Sequence, residues 1–112
     1  MGLFNSSSRQ LVETFLANSN NLIAQNRVVI VPRQVNLDFI ESYGLRNGTI
    51  YRMVAALTFA EYVKGPDPDR NHEGEWIWVF IRREGQRGLY FKLQIRLEML
   101  FIISIHESKE NK

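Results

Sequence analysis

The sequence predicts an α+β domain in which helices pack on one face of a small antiparallel sheet. Two observations lead to this prediction. Helical periodicity dominates the first half of the chain, and three consecutive strand patterns, a meander, fill residues 75–107. With 112 residues, the chain is long enough for one hydrophobic core, so we expect a single domain spanning residues 1–112. The second face of the sheet would then be open to solvent.

The N-terminal region predicts one helix followed by a short strand. Ser7 or Ser8 can cap the helix. Its apolar stripe consists of Leu11, Val12, Phe15, Leu16, Leu22 and Ile23. The β-branched run at residues 28–31 ends at Pro32, which favours an edge strand or an extended segment because proline cannot donate to a sheet.

Two further helices and a helical turn are predicted before the strands begin. Asn36 precedes an apolar helical pattern that Gly44 can end, and residues 47–49 form a turn and cap before the next pattern. Thr58 and Glu61 have the spacing of a capping box, which predicts one more helical turn. Residues 65–74 hold two prolines and no large apolar residue, so we expect a long surface loop.

The strand patterns differ in how they distribute apolar residues. The strand that begins at Trp76 is apolar on both faces, which is typical of a central or covered strand. Residues 89–97 alternate strictly instead. One side of this strand carries Leu89, Phe91, Leu93, Ile95 and Leu97, and the other carries Tyr90, Lys92, Gln94 and Arg96.

The pairing of the last two strands follows from the alternation of their side chains. If they pair antiparallel through a loop centred near Met99, their apolar rows must coincide. We therefore expect Phe101, Ile103 and Ile105 to face the core together with the apolar row of the preceding strand.

The same register brings the last histidine onto the polar face. His106 would lie opposite Lys92 or, after a shift of two residues, opposite Tyr90, with Ser104 opposite Gln94 or Lys92. Directly opposite side chains are about 5 Å apart at Cβ. In either register His106 meets both Lys92 and Tyr90, which puts an acid/base group beside a cation and a phenol.

Composition excludes several other classes of site. The chain has no cysteine, which excludes a disulfide scaffold and a thiolate metal site, and its two histidines are far apart in sequence, which disfavours zinc. We predict no cofactor. The chain shows neither a membrane-spanning apolar run nor a signal-peptide pattern, so we expect a soluble cytoplasmic protein that does not bind a membrane.

The distribution of charge along the chain indicates more about binding than the net charge does. The net charge of +2 is too small to indicate nucleic-acid binding by itself. Residues 61–75 are mainly acidic, whereas residues 82–96 are mainly basic. The basic residues of the second segment are Arg82, Arg83, Arg87, Lys92 and Arg96. The sequence thus predicts a basic sheet edge that follows an acidic loop.

Four segments in this order resemble a known family. They are LTFAEYVKGPDPD at residues 57–69, EWIWVF at 75–80 followed by Arg82, LYFKLQI at 89–95 and IISIHES at 102–108. From about Val28 to its end, the chain looks like the MqsR-type toxins of bacterial type II toxin–antitoxin pairs, within the broader RelE-like ribonuclease group. The resemblance implies a metal-independent, sequence-selective endoribonuclease that cuts mRNA and is silenced by an antitoxin encoded beside it.

The resemblance also implies site residues. The family's basic position in the short helix before the loop falls on Lys64, its strand tyrosine on Tyr90, and the neighbouring lysine on Lys92. Its last basic position falls on His106, where some members have lysine. Some members use a glutamine where this chain has Ile77, so that role is not transferred.

The chemistry of RNA cleavage without a metal agrees with these residues. It needs a base for the 2′-hydroxyl, cations for the charge on phosphorus, and an acid for the 5′-oxygen. We predict His106 as the acid or base, Tyr90 as a proton donor or stacking platform, and Lys64 as a cation that reaches in from a helix. The predicted phosphate and RNA contacts are Lys92, Arg82, Arg83, Arg96 and Gln94.

Plainer interpretations compete with each assignment. A histidine on a terminal strand is commonly a solvated surface residue, and His72 in the loop is interpreted that way. Lys92 and Arg96 can protect a sheet edge from aggregation. The competing class of protein is a non-catalytic RNA-binding or regulatory module, although a stacking sheet normally shows two or three aromatic residues and this face has one. The cleavage sequence and the requirement for a ribosome stay open.

Overall fold

The computed structural model describes the backbone of residues 2–108 and the side chains of residues 8–108. Its elements are α1 (Gly2–Ala24), β1 (Val28–Ile30), α2 (Gln34–Tyr43), α3 (Asn47–Ala55), β2 (Tyr62–Pro68), β3 (Trp76–Glu84), β4 (Arg87–Arg96) and β5 (Met99–Glu107). A 3₁₀ turn, Phe59–Glu61, lies between α3 and β2. This is the predicted α+β class. None of the helices in these residues combines the length and hydropathy that a membrane crossing requires.

The five strands form one mixed sheet in the order β1-β5-β4-β3-β2. The last three strands form the predicted antiparallel meander, and β2 adds to it antiparallel. The prediction of a purely antiparallel sheet is wrong at one edge, because β1 pairs parallel with β5. Helices α2 and α3 lie in the long connection between β1 and the other strands, and a connection of that length permits the parallel pairing.

The helices bury the apolar side of the sheet. Phe15 of α1 stacks on Trp78 with ring centroids 4.5 Å apart and lies 6.2 Å from the ring of Phe80. The core also takes Ile50 and Val54 from α3, both fully buried. The opposite side of the sheet is therefore left for a site.

Three details of the helices differ from the predictions. Helix α1 begins at Gly2, so Ser7 and Ser8 lie inside it and do not cap it. Asn36 lies inside α2 and is fully buried. Asn47 is the first residue of α3. The predicted end of α2 is confirmed, since Gly44 has a left-handed backbone with φ of 62°.

After Thr58, the chain enters a β-strand at an earlier residue than predicted. The capping box is present, with Ala60 donating to the Thr58 hydroxyl and the Thr58 backbone donating to Glu61. Lys64 then lies in strand β2 and not in a helix. The predicted loop at residues 65–74 is shortened to the residues after Pro68, because the chain at Lys64 and Asp67 pairs with β3.

The register between β4 and β5 is confirmed in one half and wrong in the other. Tyr90 pairs with His106 and Lys92 with Ser104, as one of the two predicted registers has it. A bulge follows Lys92, so that Leu93 pairs with Ile102. Beyond the bulge, the buried residues of β5 are Leu100 and Ile102 instead of Phe101 and Ile103.

The hairpin turn is also displaced from the predicted position. Leu97 and Glu98 form it, with φ of 53° and 58°, as in the two-residue turns that match strand twist. Leu97 was expected in the core but is 77% exposed. The two-residue turn sets the residue pairs near the tip of the hairpin. The bulge shifts the pairing by one residue, so that the predicted pairs form at the other end of the strands.

The buried Asn36 side chain is hydrogen-bonded to the bulge in β5. Its side-chain nitrogen donates to the carbonyl oxygens of Val31 and Ile103 at 2.7 and 3.0 Å. Its side-chain oxygen accepts from the Ile105 backbone at 2.8 Å. Arg33 also donates to the Ile103 carbonyl oxygen at 3.2 Å, so the irregular backbone has its hydrogen bonds satisfied by two side chains.

Candidate active site on the open face of the sheet

A cleft of about 390 Å³ lies on the sheet face opposite the helices. Strand pairing sets Lys64 of β2 and Lys92 of β4 on the two sides of Val79, and Tyr90 beside Ile81. Paired residues of neighbouring strands point to the same face, so these side chains rise from the sheet together. The cleft is lined by Lys64, Asp67, Pro68, Asp69, Arg70, Asn71, Ile77, Val79, Tyr90 and Lys92.

Three of the four predicted catalytic residues therefore share one cleft: Lys64, Tyr90 and Lys92. Lys64 is exposed and lies 4.0 Å from the Asp67 carboxylate, a distance at which a surface ion pair is weak. Arg70, which sequence reasoning did not select, adds a third cation to the cleft wall. This arrangement concentrates positive charge around a half-buried phenol.

The phenol of Tyr90 is a proton donor at neutral pH. Burial disfavours its charged form and raises its pKa above the ordinary value of 10.0. The hydroxyl therefore keeps its proton in the range where the protein would act. It can donate a hydrogen bond or a proton to a ligand in the cleft.

His106, the fourth predicted residue, contacts Tyr90 but lines a different depression. The two rings stack with centroids 4.5 Å apart and an angle of 14°. The Nδ1 atom of His106 lies 3.0 Å from the Glu107 carbonyl oxygen. The ring borders a depression of about 740 Å³ that is otherwise lined by Glu107 and α2 residues. Its position supports the Tyr90 ring from the side of β5.

The loop after β2 folds over the polar side of β4. Asp69 is buried there and accepts a hydrogen bond from the Gln94 side chain at 2.8 Å. The same carboxylate accepts from the Asn71 backbone at 2.8 Å and lies 3.0 Å from Nδ1 of His72. Gln94 is only 1% exposed. Gln94 was predicted to lie on an open surface that binds RNA. That placement is wrong, because the loop covers the side chain and its amide nitrogen donates to Asp69.

The environment of Asp69 keeps its carboxyl group ionised. Burial by itself raises the pKa, but hydrogen bonds from Gln94, Asn71 and His72, together with the charge of His72, lower it from 3.8 to about 2. At neutral pH the group is a carboxylate, which can only accept hydrogen bonds.

A second cleft, of about 380 Å³, adjoins the first. Lys92, Ile77, Asp69 and Asn71 line both. The second cleft adds Val31, Arg33, His72, Gln94, Arg96, Phe101 and Ile103. Its cations are held in place: Arg33 donates to the Ser104 hydroxyl at 2.5 Å, and the Arg96 guanidinium lies 4.3 Å from the Phe101 ring centroid. The two clefts form a continuous basic surface that we call the open-face groove.

The two predicted arginines of β3 lie on different faces. Arg82 pairs with the buried Leu89, which places it on the helix side, and it donates to Glu84 at 2.5 Å. Arg82 therefore does not share a face with Lys92, because consecutive strand residues alternate between faces, and this placement argues against its predicted role as a phosphate contact. Arg83 is on the open face and exposed, at the end of the strand where it pairs with Gly88.

Sequence reasoning missed His72, Asp69 and Arg33 as groove residues. The sequence did contain a signal for Asp69 and His72, which lie three residues apart directly after Pro68. At this spacing a turn brings two side chains together. Arg33 gave no comparable signal, since its place next to β5 depends on the parallel pairing of β1.

Comparison with protein families identifies the class of this α+β domain as a toxin of a toxin–antitoxin system. The matching family is described as motility quorum-sensing regulator, toxin of MqsA, and its model matches residues 13–107. The chain belongs to this family of MqsR-type toxins, and the family implies an antitoxin partner of the MqsA kind. A comparison with curated proteins finds no match.

Proposed function

We propose that this toxin is a metal-independent endoribonuclease that cuts mRNA and thereby inhibits translation and growth. The observation that carries the proposal is the convergence of Lys64, Lys92 and the neutral Tyr90 phenol in one cleft on the open face of the sheet. A phosphate group is the ligand that two lysines and a phenolic donor fit. We also propose that the chain belongs with the RelE-like ribonucleases, as the resemblance of its four segments implies.

The proposed reaction is an internal transesterification of RNA. The 2′-oxygen attacks the adjacent phosphorus, the bond from phosphorus to the 5′-oxygen breaks, and a 2′,3′-cyclic phosphate and a 5′-hydroxyl result. Lys64 and Lys92 offset the negative charge that grows on the phosphoryl oxygens. Tyr90 gives its proton to the departing 5′-oxygen. A base must remove the 2′-hydroxyl proton.

The remaining basic residues of the open-face groove would guide single-stranded RNA to the cleft. Arg33, Arg70 and Arg96 line its walls, and Arg83 lies exposed on the same face. The Arg96 guanidinium, which lies over the Phe101 ring, adds a flat cationic surface on which a base can stack. Contacts of this kind depend strongly on salt, since each phosphate bound releases counterions.

The role of His106 in proton transfer stays a prediction, and its contacts support a second role. A ring stacked flat on Tyr90 restricts the motion of the phenol and keeps it directed along the sheet face. We propose that His106 is a positioning residue for Tyr90.

Purified protein should cleave single-stranded RNA in the presence of excess EDTA, because the cations of the cleft are its own lysines. Tyr90→Phe and Lys92→Ala should each lower kcat by roughly a hundredfold, the scale for losing an acid or a charge-stabilising group. Arg52→Ala is the matched control, since Arg52 is an exposed cation on α3. Activity that EDTA abolishes would contradict the mechanism. RNA that is bound but never cut would favour the non-catalytic module.

A further inference from the structure

The Asp69 and His72 side chains form a hydrogen-bonded pair at the rim of the open-face groove. Nδ1 of His72 lies 3.0 Å from Oδ2 of Asp69. The Asp69 side chain is 7% exposed, whereas that of His72 is 44% exposed. A buried carboxylate thus holds one nitrogen of an imidazole that reaches solvent.

The tautomer of His72 follows from this contact. The Asp69 carboxylate carries no proton, so Nδ1 of His72 must donate, and the neutral ring has its free lone pair on Nε2. Asp69 is itself fixed by Gln94 at 2.8 Å, and Gln94 accepts from Arg96 at 3.0 Å. The imidazole is therefore oriented by hydrogen bonds that run through the buried Asp69 and Gln94 side chains.

We propose that His72, oriented by Asp69, is the general base that removes the 2′-hydroxyl proton, an inference that rests on the proposed ribonuclease function. His72 lines the groove next to Lys92, which borders both clefts. A phosphate held at Lys92 would lie between the Tyr90 side of the groove and the His72 side. An in-line displacement needs its base and its acid on opposite sides of the phosphorus in this way.

The proton balance closes with these two residues. Nε2 of His72 accepts the 2′-hydroxyl proton as the bond from the 2′-oxygen to phosphorus forms. Tyr90 donates its proton to the 5′-oxygen as the bond from phosphorus to that oxygen breaks. His72 ends protonated and Tyr90 ionised, and exchange with solvent restores both. No oxidant, metal or second substrate enters the step.

The comparison with His106 favours His72 as the base. The chain has only these two histidines. His106 borders the depression along α2, on the far side of the Tyr90 ring, and its Nδ1 is held by a backbone carbonyl. His72 borders the groove itself and has a carboxylate partner, which stabilises the imidazolium formed when a base takes up a proton.

The first experiment measures cleavage of a short RNA in EDTA across a range of pH for the intact chain and three variants. His72→Ala and His72→Gln should lower kcat by roughly a hundredfold or more, with little change in KM. They should also lose the limb of the profile where activity rises as a base deprotonates. The groups that face His72 are Asp69, Lys92, Arg33 and Arg96, and the His72 variants leave all four in place.

Asp69→Asn is the third variant and tests positioning. An asparagine amide can donate to Nδ1 and so favour the wrong tautomer of His72, which should lower kcat by a similar factor. Glu73→Gln is the matched control, because Glu73 is exposed in the same loop. Thermal unfolding of each variant verifies folding. His72 is exposed at the loop surface, so both of its variants should keep the fold.

The second experiment separates base from acid. RNA with sulfur in place of the 5′-oxygen at the cleavage site has a leaving group that needs no proton. Tyr90→Phe should recover activity on this substrate, whereas the His72 variants should stay impaired. Recovery by the His72 variants would make His72 an acid and overturn the proposal.

The outcomes distinguish this inference from the proposed function. If the intact chain cuts no RNA, the proposed function fails. If the intact chain cuts RNA and the His72 variants retain its rate and pH profile, the ribonuclease assignment stands and the role of His72 is contradicted.

Discussion

Gln94 donates its side-chain amide to the Asp69 carboxylate across 2.8 Å, although 25 residues separate them in sequence. Both side chains are buried, so the contact fastens the loop after β2 onto the open face of the sheet. The same contact lowers the pKa of Asp69 against the opposing effect of burial. The loop that carries His72 is therefore fixed by an ionised group.

Asp69 should make the stability of the protein depend on pH in acid. Its pKa is about 2 in the folded chain and 3.8 as the reference for an unfolded one, so the unfolded state takes up the proton first. The stabilisation is fully present above about pH 4 and is lost as pH falls through 2; it amounts to roughly 2 kcal/mol. Urea unfolding between pH 2 and pH 5 measures it.

The control for this experiment is Asp67→Asn, since the Asp67 side chain is 49% exposed. Asp69→Asn should be less stable at pH 5 and should show a flatter dependence of the unfolding free energy on pH. Equal slopes in Asp69→Asn and the intact chain would show that the carboxylate does not contribute.

Substitutions of His106 should separate stacking from proton transfer. His106→Phe keeps a flat ring against Tyr90 and should retain most activity, whereas His106→Ala removes the ring and should lower kcat by several-fold to tenfold. His106→Lys adds a cation without a ring and should resemble alanine. Cleavage rates over a pH range provide the measurement. If phenylalanine were as inactive as alanine, with both reduced a hundredfold, His106 would be the proton-transfer residue predicted from the sequence.

The two faces of the sheet should respond differently to loss of a cation. Lys92→Ala should impair cleavage strongly because Lys92 borders both clefts. Arg82→Ala should leave cleavage within about twofold, because Arg82 lies on the helix side and pairs with Glu84. Arg83→Ala should weaken RNA binding modestly and reduce its salt dependence. A large catalytic defect in Arg82→Ala would contradict the assignment of faces.

Removal of Asn36 should destabilise the fold more than its size suggests. Asn36→Ala leaves the Ile105 backbone N–H without its side-chain partner and the Ile103 carbonyl oxygen with only its contact to Arg33, at a cost of roughly 2–4 kcal/mol. Asn20→Ala, at an exposed position of α1, is the matched control and should change stability little. Chemical denaturation of both variants makes the comparison. Similar stability of the two would mean that water replaces the lost hydrogen bonds.

The antitoxin partner that the family implies should protect cells from this toxin. We expect a stable complex when the chain is produced together with its cognate antitoxin, encoded in the same operon. An acidic antitoxin segment over the open-face groove would associate more slowly at high salt, since charge pairing speeds encounter. Stopped-flow measurements at two salt concentrations test this. Recovery of only the free chain from its native operon would refute the expectation.

Local patterns predicted the parts of the site that depend on alternation within one hairpin. Tyr90, Lys92 and His106 could be placed together because side chains in a strand alternate and the two strands are adjacent in sequence. The prediction failed past Lys92, where a bulge changed which residues face the core. The bulged backbone is hydrogen-bonded to Asn36, 69 residues away from its partner Ile105, and no local pattern contains such a contact.

The sequence by itself determined the fold class, the family and three residues of the cleft, because hydrophobic periodicity and short motifs report on local structure. Only the tertiary structure decided which polar residues are accessible. In the folded chain, Gln94 is buried under a loop and Arg82 lies on the helix side of the sheet. His106 stacks on Tyr90 outside the cleft, and His72 lies at the groove, hydrogen-bonded to the buried Asp69 carboxylate. These outcomes depend on hydrogen bonds between distant segments, and the free energy of such contacts is set by the packing of the whole domain.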